Sequence, residues 1–346
     1  MISIYIIPLL VAMFLAINMG GSGTAPAFSV AYGANMIRRD LIPGLFGIFV
    51  FAGAIIAGKK VILTVSNDIL PSEVVGLTLT VVVLASVALS LFFANMLRVP
   101  QSTSQSTIFA LTGTAIYLDV LQTRRLFIEI IPTWFIAPML AFAITYAVGW
   151  FIIHRSTWQQ SRLWQVLQKH RGLQYLVVVT SCYVAFSIGA NNMANAAAPV
   201  LAMSTNLFNI EVDSTNFFLL MLILVFMLAP MFGLGSSLMG HRVLQTTGKD
   251  IATFGPLGAS LISIITASIL LVSSLWRGIP TSLVQMNTAA IIALGMVKSG
   301  HVHIWCNAPL KRIFVIWIVA PLISMAMSLL LMIIADYAGL IGNIEK

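Results

Sequence analysis

Ten long stretches of this chain contain no Asp, Glu, Lys or Arg. They are 1–37, 41–58, 74–97, 99–118 and 130–154 in the first half, and 172–210, 214–241, 251–276, 278–297 and 313–335 in the second. A helix needs about 20 apolar residues to cross a bilayer. Most of the stretches therefore read as one crossing each. With 59% hydrophobic and 8% charged residues, against about 25% charged in an ordinary soluble domain, the chain reads as an all-α integral membrane protein. Its net charge of +8 lies between apolar runs and calls for no nucleic-acid partner. The apolar N-terminus has no basic segment before it and reads as a retained first helix rather than a signal peptide.

The two halves resemble each other. "GKKVILTVSNDI" at 58–69 matches "GHRVLQTTGKDI" at 240–251, "VPQSTSQST" at 99–107 matches "IPTSLVQMN" at 279–287, and "NMGGSGTAPA" at 18–27 aligns with "SIGANNMANA" at 187–196. The order is the same in both halves. This divides the chain into a first repeat (1–154), a basic loop (155–171) and a second repeat (172–346).

Charge sets the expected orientation. With one crossing per stretch and the N-terminus outside, the inner loops hold twelve Lys/Arg and two acids, and the outer segments six Lys/Arg and eight acids. That is the positive-inside pattern. It puts 155–171 in the cytoplasm and both termini outside. Five crossings per half invert the second repeat, as in secondary transporters built from inverted repeats and broken helices. The expectation is about 10–12 membrane segments, with 74–97 and 99–118 as a possible re-entrant hairpin.

Stretches 1–37 and 172–210 are nearly twice the length of one span, and each has small and polar residues near its middle. A break in lipid survives only where it is buried in protein or lines a polar cavity. Breaks are therefore expected at 20–24 and 189–195. There Gly20, Gly21, Gly23 and Gly189 would let the backbone approach a ligand, and helix N-termini would favour an anion. Ser22, Thr24, Asn191, Asn192 and Asn195 add neutral donors. Small residues of this kind also serve close helix packing, and both readings stand. In the second motif pair, Ser102, Thr103, Ser104, Gln105, Ser106 and Thr107 follow Pro100, while Ser282, Gln285 and Asn287 follow Pro280. Pro with hydroxyls behind it marks a helix N-terminus.

These motifs resemble the inorganic phosphate transporter (PiT) family, whose two copies of G-A/G-N-D-x-A-N are each followed by a P-x-S-T-T-H-like motif. The resemblance covers most of the chain. It implies two inverted halves and ion-coupled uptake of an oxyanion. The departures are informative. The family's Asp falls at Gly23 and Asn192, its first Asn at Ser22 and Asn191, its later Asn at Pro26 and Asn195, and its His at Gln105 and Gln285. The "GGSGTAPA" form is similar to the family's sulfate-permease branch.

Chemistry points the same way. Phosphate keeps a proton at neutral pH and suits a site with a carboxylate acceptor. Sulfate offers only acceptors, so a facing carboxylate would repel it and leave an oxygen unpaired. The site expected here is made of Gly20, Gly21, Ser22, Gly23, Thr24, Ser102, Thr103, Ser104, Gln105, Asn191, Asn192, Asn195, Ser282 and Gln285. It has no carboxylate, cofactor or metal. Loss of both Asp residues removes hard ligands for Na⁺, which favours a proton over sodium as coupling ion.

The expected function is a plasma-membrane symporter, in a bacterial cytoplasmic (inner) membrane, importing an inorganic oxyanion, sulfate first, by alternating access and able to form a homodimer. A phosphate transporter of the same fold or an anion channel are the alternatives. An enzyme is not expected, because no acid lies at depth and His is confined to segment ends. Arg98 and Arg277, just before the Pro motifs, either attract the anion or snorkel to the interface. Asp68 and Asp250 read as loop residues that cap or pair locally. "HVHIWC" at 301–306 reads as a loop, and Cys182 as inert core.

Overall fold

A computed structural model describes residues 2–33, 35–71, 74–96, 101–154, 171–212, 214–240, 255–299 and 308–341. Arg98, Pro100, Asp250, nearly all of the central loop and the "HVHIWC" segment lie outside the described residues. The described residues hold helices and turns and no strand. Each of the ten charge-free stretches carries one long helix. In chain order these are α1 (Ile2–Gly33), α2 (Ile42–Ala57), α3 (Lys59–Asn67), α4 (Leu77–Met96), α5 (Thr103–Tyr117), α6 (Ile131–His154), α7 (Arg171–Phe208), α8 (Thr215–Gly235), α9 (Gly255–Trp276), α10 (Leu283–Ser299) and α11 (Ala308–Tyr337). Only α3 is polar enough to lie outside that set. Eight helical segments are long and apolar enough to cross a bilayer, while α5 and α10, at 15 and 17 residues, are shorter.

The expected breaks at 20–24 and 189–195 are absent. α1 runs through the first motif without interruption for 32 residues, and α7 through the second for 38. At 1.5 Å per residue these are rods of about 48 and 57 Å, longer than the ~30 Å hydrocarbon layer. The small residues serve packing instead. A Cβ on Gly20 would lie 2.1 Å from the Phe232 carbonyl oxygen, and one on Gly235 would lie 1.9 Å from that of Ile17. α1 and α8 thus cross backbone to backbone. The same contact recurs between α7 and α2. A Cβ on Gly189 would meet the Val50 oxygen at 2.0 Å, and one on Gly53 the Phe186 oxygen at 1.9 Å. The polar side chains do not unwind the helices either. Thr24 donates to the Gly20 carbonyl at 2.6 Å and Ser22 to that of Met19 at 3.2 Å. Tertiary packing overrides the low helix propensity of Gly and Asn.

α1 and α7 run antiparallel. Tyr5 stacks on Phe208 at one end, and the Gln174 amide donates to the Met36 carbonyl at the other. The remaining helices sort onto these ends. α4 begins and α5 finishes at the Phe208 end: Asn206 donates to the Val75 carbonyl, Thr78 to that of Leu340, and Tyr117 hydrogen-bonds Asp336. α9 begins at the Arg171 end, where Leu257 packs with Ala31, Met36 and Leu173. α10 finishes beside the last turns of α6, with Leu294 and Val297 against Gly149. The pairs α4–α5 and α9–α10 therefore enter from opposite ends and turn back inside the molecule.

Packing interlocks the halves. α5 lies along α11, α10 along α6, α2 along α7 and α8 along α1. Gly113 marks the first of these contacts, since a Cβ there would come within 2.2 Å of Ser328 Oγ.

Candidate functional site

The two inward turns meet halfway along α7. Ser102 caps α5 by accepting from the Gln105 N–H at 3.3 Å, and Ser282 caps α10 by accepting from the Gln285 N–H at 3.4 Å. These are the matched serines of the two Pro motifs. One turn further on, the Gln105 and Gln285 side chains pair reciprocally, each Nε2 donating to the other's Oε1 at 3.1 Å. The positive ends of two helix dipoles are thereby brought to one place.

Asn191 and Asn195 of α7 complete the cluster, and both are fully buried. Asn191 uses all its hydrogen-bonding capacity. Its Nδ2 donates to Ser274 Oγ at 3.0 Å and to the Ile279 carbonyl at 3.3 Å; its Oδ1 accepts from Ser104 Oγ and from the Thr281 N–H, both at 3.3 Å. It therefore ties the first turn of α5 to the α9–α10 turn. Asn195 is different. Its Nδ2 reaches Ser104 Oγ at 3.5 Å, while its Oδ1 is buried without a partner. Thr281 Oγ1 is likewise buried and unpartnered. Unsatisfied buried polar atoms each cost about 1–3 kcal/mol, so the cluster keeps one unpaired acceptor, Asn195 Oδ1, and one unpaired hydroxyl, Thr281 Oγ1.

The predicted residues divide in two. Ser102, Ser104, Gln105, Asn191, Asn195, Ser282 and Gln285 come together. Thr103, the first residue of α5, is buried beside them and its carbonyl takes the Thr107 hydroxyl. Asn192 is partly exposed, unlike its two neighbouring asparagines. The first-repeat motif supplies no bond to the cluster among the described residues. Gly20 lies against the Phe232 backbone, Gly21 against the Met239 side chain, and Gly23 against the Phe46 ring, where a Cβ would come within 3.1 Å. Ser22 and Thr24 bond back into their own helix.

Several members were missed. Thr281 and Gln101 are the middle residues of the matched Pro-x-Ser motifs, so the signal was present in the repeat. Gln101 Nε2 donates to Ser90 Oγ at 2.8 Å and to Ser106 Oγ at 2.6 Å, fastening the α5 start to α4. Asn18 and Asn95 join α1 to α4. Ser274 sits in an apolar run and had no distinguishing signal.

Charged groups gather outside the cluster, toward the Phe208 end. Arg125 pairs with Asp68 at 3.1 Å and donates to Thr64 Oγ1 at 3.2 Å. Arg277 lies 3.8 Å from Glu129. Partial burial raises the Asp68 carboxyl above its usual range; Arg125 and the Thr64 hydroxyl pull it back down, and Glu129 adds to the rise. Asp68, read from the sequence as a residue that caps or pairs locally, takes its partner from a distant segment instead. Among the described residues no group of His, Cys, Asp and Glu is placed to hold a metal ion.

The geometry has counterparts among known proteins. Residues 19–328 match the model of the phosphate transporter family. The chain is 32% identical over 333 residues to the protein named sulfate permease CysP of Bacillus subtilis, covering 95% of this chain and 88% of that one. It is 27% identical over 165 residues to sodium-dependent phosphate transporter 1 of Xenopus tropicalis, covering 48% of this chain and 23% of that one. A solved structure described as the sodium-dependent phosphate transporter superposes with a TM-score of 0.82 at 19% identity, covering 97% of this chain and 99% of that one, which shows a shared fold. The chain belongs to the phosphate transporter (PiT) family, a family of membrane transporters and not of enzymes.

Proposed function

We propose that this protein is a secondary transporter that imports a fully ionised tetrahedral oxyanion, sulfate first, by alternating access. One observation carries the reading. Two capped helix N-termini converge midway through the molecule on a cluster of amides and hydroxyls, and the described residues of that cluster include no carboxylate. Donors of this kind suit an anion with no proton to give. The name of the Bacillus subtilis relative supports sulfate over phosphate.

We read 1–154 and 172–346 as inverted repeats around the loop 155–171. The recurrence of the glycine crossings, the paired serine caps and the Gln–Gln pair supports that division. Sidedness is read from charge, with the Phe208 end outside and the Arg171 end cytoplasmic. Contacts of Ile69 with Gln122, of Asp68 with Arg125 and of Tyr117 with Asp336 gather segments assigned to the same side. A proton is the favoured coupling ion.

The deciding experiment is uptake of radiolabelled sulfate into proteoliposomes under an imposed proton or sodium gradient, with unlabelled phosphate, thiosulfate, molybdate or selenate as competitor. Uphill accumulation driven by the proton gradient, and resistant to phosphate, is the expected result. Dissipative flux without accumulation identifies a channel. Stronger competition by phosphate than by unlabelled sulfate overturns the substrate assignment.

A further inference from the structure

The turn between α9 and α10 is fastened in an unusual way. Four of its carbonyls accept hydrogen bonds from side chains on three helical segments, with Arg125 and Trp134 on the same one. Lys60 Nζ of α3 reaches the Trp276 oxygen at 3.5 Å. Arg125 Nη2, just before α6, reaches that of Arg277 at 3.2 Å. Asn191 Nδ2 of α7 reaches that of Ile279 at 3.3 Å, and Trp134 Nε1 of α6 that of Pro280 at 2.9 Å. Gly278, at φ +65°, lets the turn press on α3, where a Cβ would meet the Lys60 carbonyl oxygen at 2.6 Å. Immediately beyond the turn, the Thr281 N–H is aimed into the cluster.

The four fastenings are not alike. Asn191 and Trp134 are buried and neutral, whereas Lys60 is charged and exposed and Arg125 is charged and partly exposed. Burial changes abruptly along the turn: Trp276 and Arg277 are exposed, and every residue from Gly278 to Leu283 is buried. The turn therefore lies between the cluster and the exposed surface toward the Phe208 end. Hydrated charged donors exchange partners at low cost, because water replaces the bond they give up. Arg125 also keeps Asp68 as a partner when it lets the carbonyl go.

We propose that Arg125, assisted by Lys60, is a positioning residue for transport: it latches the 276–280 turn over the site, and its release opens the site toward the Phe208 end. This rests on the transporter reading above and adds to it which segment moves and what holds it.

The test uses the full chain with Cys182→Ala and Cys306→Ala, and Thr281→Cys as reporter, reconstituted in sealed vesicles without substrate. Labelling of the reporter by a membrane-impermeant maleimide reads exposure of the site. Arg125→Gln is expected to raise the labelling rate from the Phe208 side by roughly tenfold, the factor that one charge-assisted hydrogen bond supplies. Arg125→Lys should restore slow labelling in part, and Lys60→Gln should give a smaller increase. Because no substrate is present, this result stands or falls independently of sulfate as cargo. In a second arm, with Thr281 intact, Arg125→Gln should lower the maximal uptake rate while the half-saturating concentration moves less than about twofold.

Unchanged labelling in both Arg125→Gln and Lys60→Gln, in monodisperse protein, overturns the proposal. So does a rise in half-saturating concentration at constant maximal rate, which would make Arg125 an anion-capture residue. Where Arg125→Gln does not fold, Lys60→Gln and Arg125→Lys carry the labelling test, and unchanged rates in both overturn it equally.

Discussion

Gln105 and Gln285 hold each other through two hydrogen bonds of 3.1 Å, and they occupy the same position in two segments 180 residues apart. Each is the third residue past the cap of a short helix. The family motif has His at this place. A pair of amides has the property that each supplies both donor and acceptor, so these two side chains satisfy each other.

Breaking that pair from one side should cost more than removing it. Gln285→Leu strands the Gln105 amide in a buried place and should lower stability by about 1–3 kcal/mol. The double variant Gln105→Leu/Gln285→Leu should lose less than the sum of the two single variants, because no stranded partner remains. Thermal unfolding in detergent gives the stability cycle, and sulfate uptake should fall in all three variants. Strict additivity would show that the two amides do not meet.

The missing acids predict selectivity. Asn192→Asp should lower the ratio of sulfate to phosphate uptake, because a carboxylate repels the dianion and accepts a proton from phosphate. Low dielectric at mid-depth enlarges the contrast. The measurement belongs at pH 7.5 or above, where the new acid is ionised. Gly23→Asp is a poor companion, since its side chain would run into the Phe46 ring. An unchanged ratio would remove position 192 from the anion's surroundings.

The glycine crossings predict a sharp steric signature. Gly189→Ala puts a methyl about 2 Å from a backbone oxygen that cannot turn away, and should destabilise by ~1–3 kcal/mol or more. Gly53→Ala should do the same at its own crossing. Gly44→Ala, where nothing lies within 4 Å of the added methyl, is the control and should leave the melting temperature unchanged. Equal melting temperatures for all three would contradict the backbone-to-backbone contact.

Asp68 gives a pH signature. Burial raises its carboxyl above the reference value of 3.8, so the folded state takes up the proton before the unfolded chain does. The stability gained from that proton is complete at low pH and is lost as pH rises through the raised value. Asp68→Asn cannot take the proton. The melting temperature of wild type relative to Asp68→Asn should therefore improve as pH falls from neutrality into the acid range. A relative change in the opposite direction would mean that the Arg125 pairing outweighs burial.

The charge-free stretches made the helix count legible, because in a membrane the absence of charge follows span boundaries closely. The repeated Pro-x-Ser motifs led to the buried polar cluster, because a cap and its polar neighbours are local features. What misled was glycine. "GSGTAPA" and "GANNMANA" carry the composition of a break, yet both lie in unbroken helix. A small residue facing a ligand and one facing another helix leave the same trace in one sequence. Only the partner at the crossing, Phe232 for Gly20 and Val50 for Gly189, tells them apart. Ser274 escaped for a related reason. Its place in the cluster is set by Asn191, far away in sequence.

The pairing of α5 with α11 sets a timetable for biogenesis. α5 carries Ser104, Gln105, Ser106, Thr107, Thr112 and Thr114 on a helix too short to cross the membrane alone. Its long neighbour begins roughly 190 residues later, so at ribosomal speed α5 waits about 10–40 s for that neighbour to be made. During that interval its hydroxyls must be sheltered by α4, by water or by the insertion machinery. A nascent chain arrested before residue 308 should therefore leave α5 accessible to water-soluble reagents, and completion of the last helix should be the event that carries it into the bilayer.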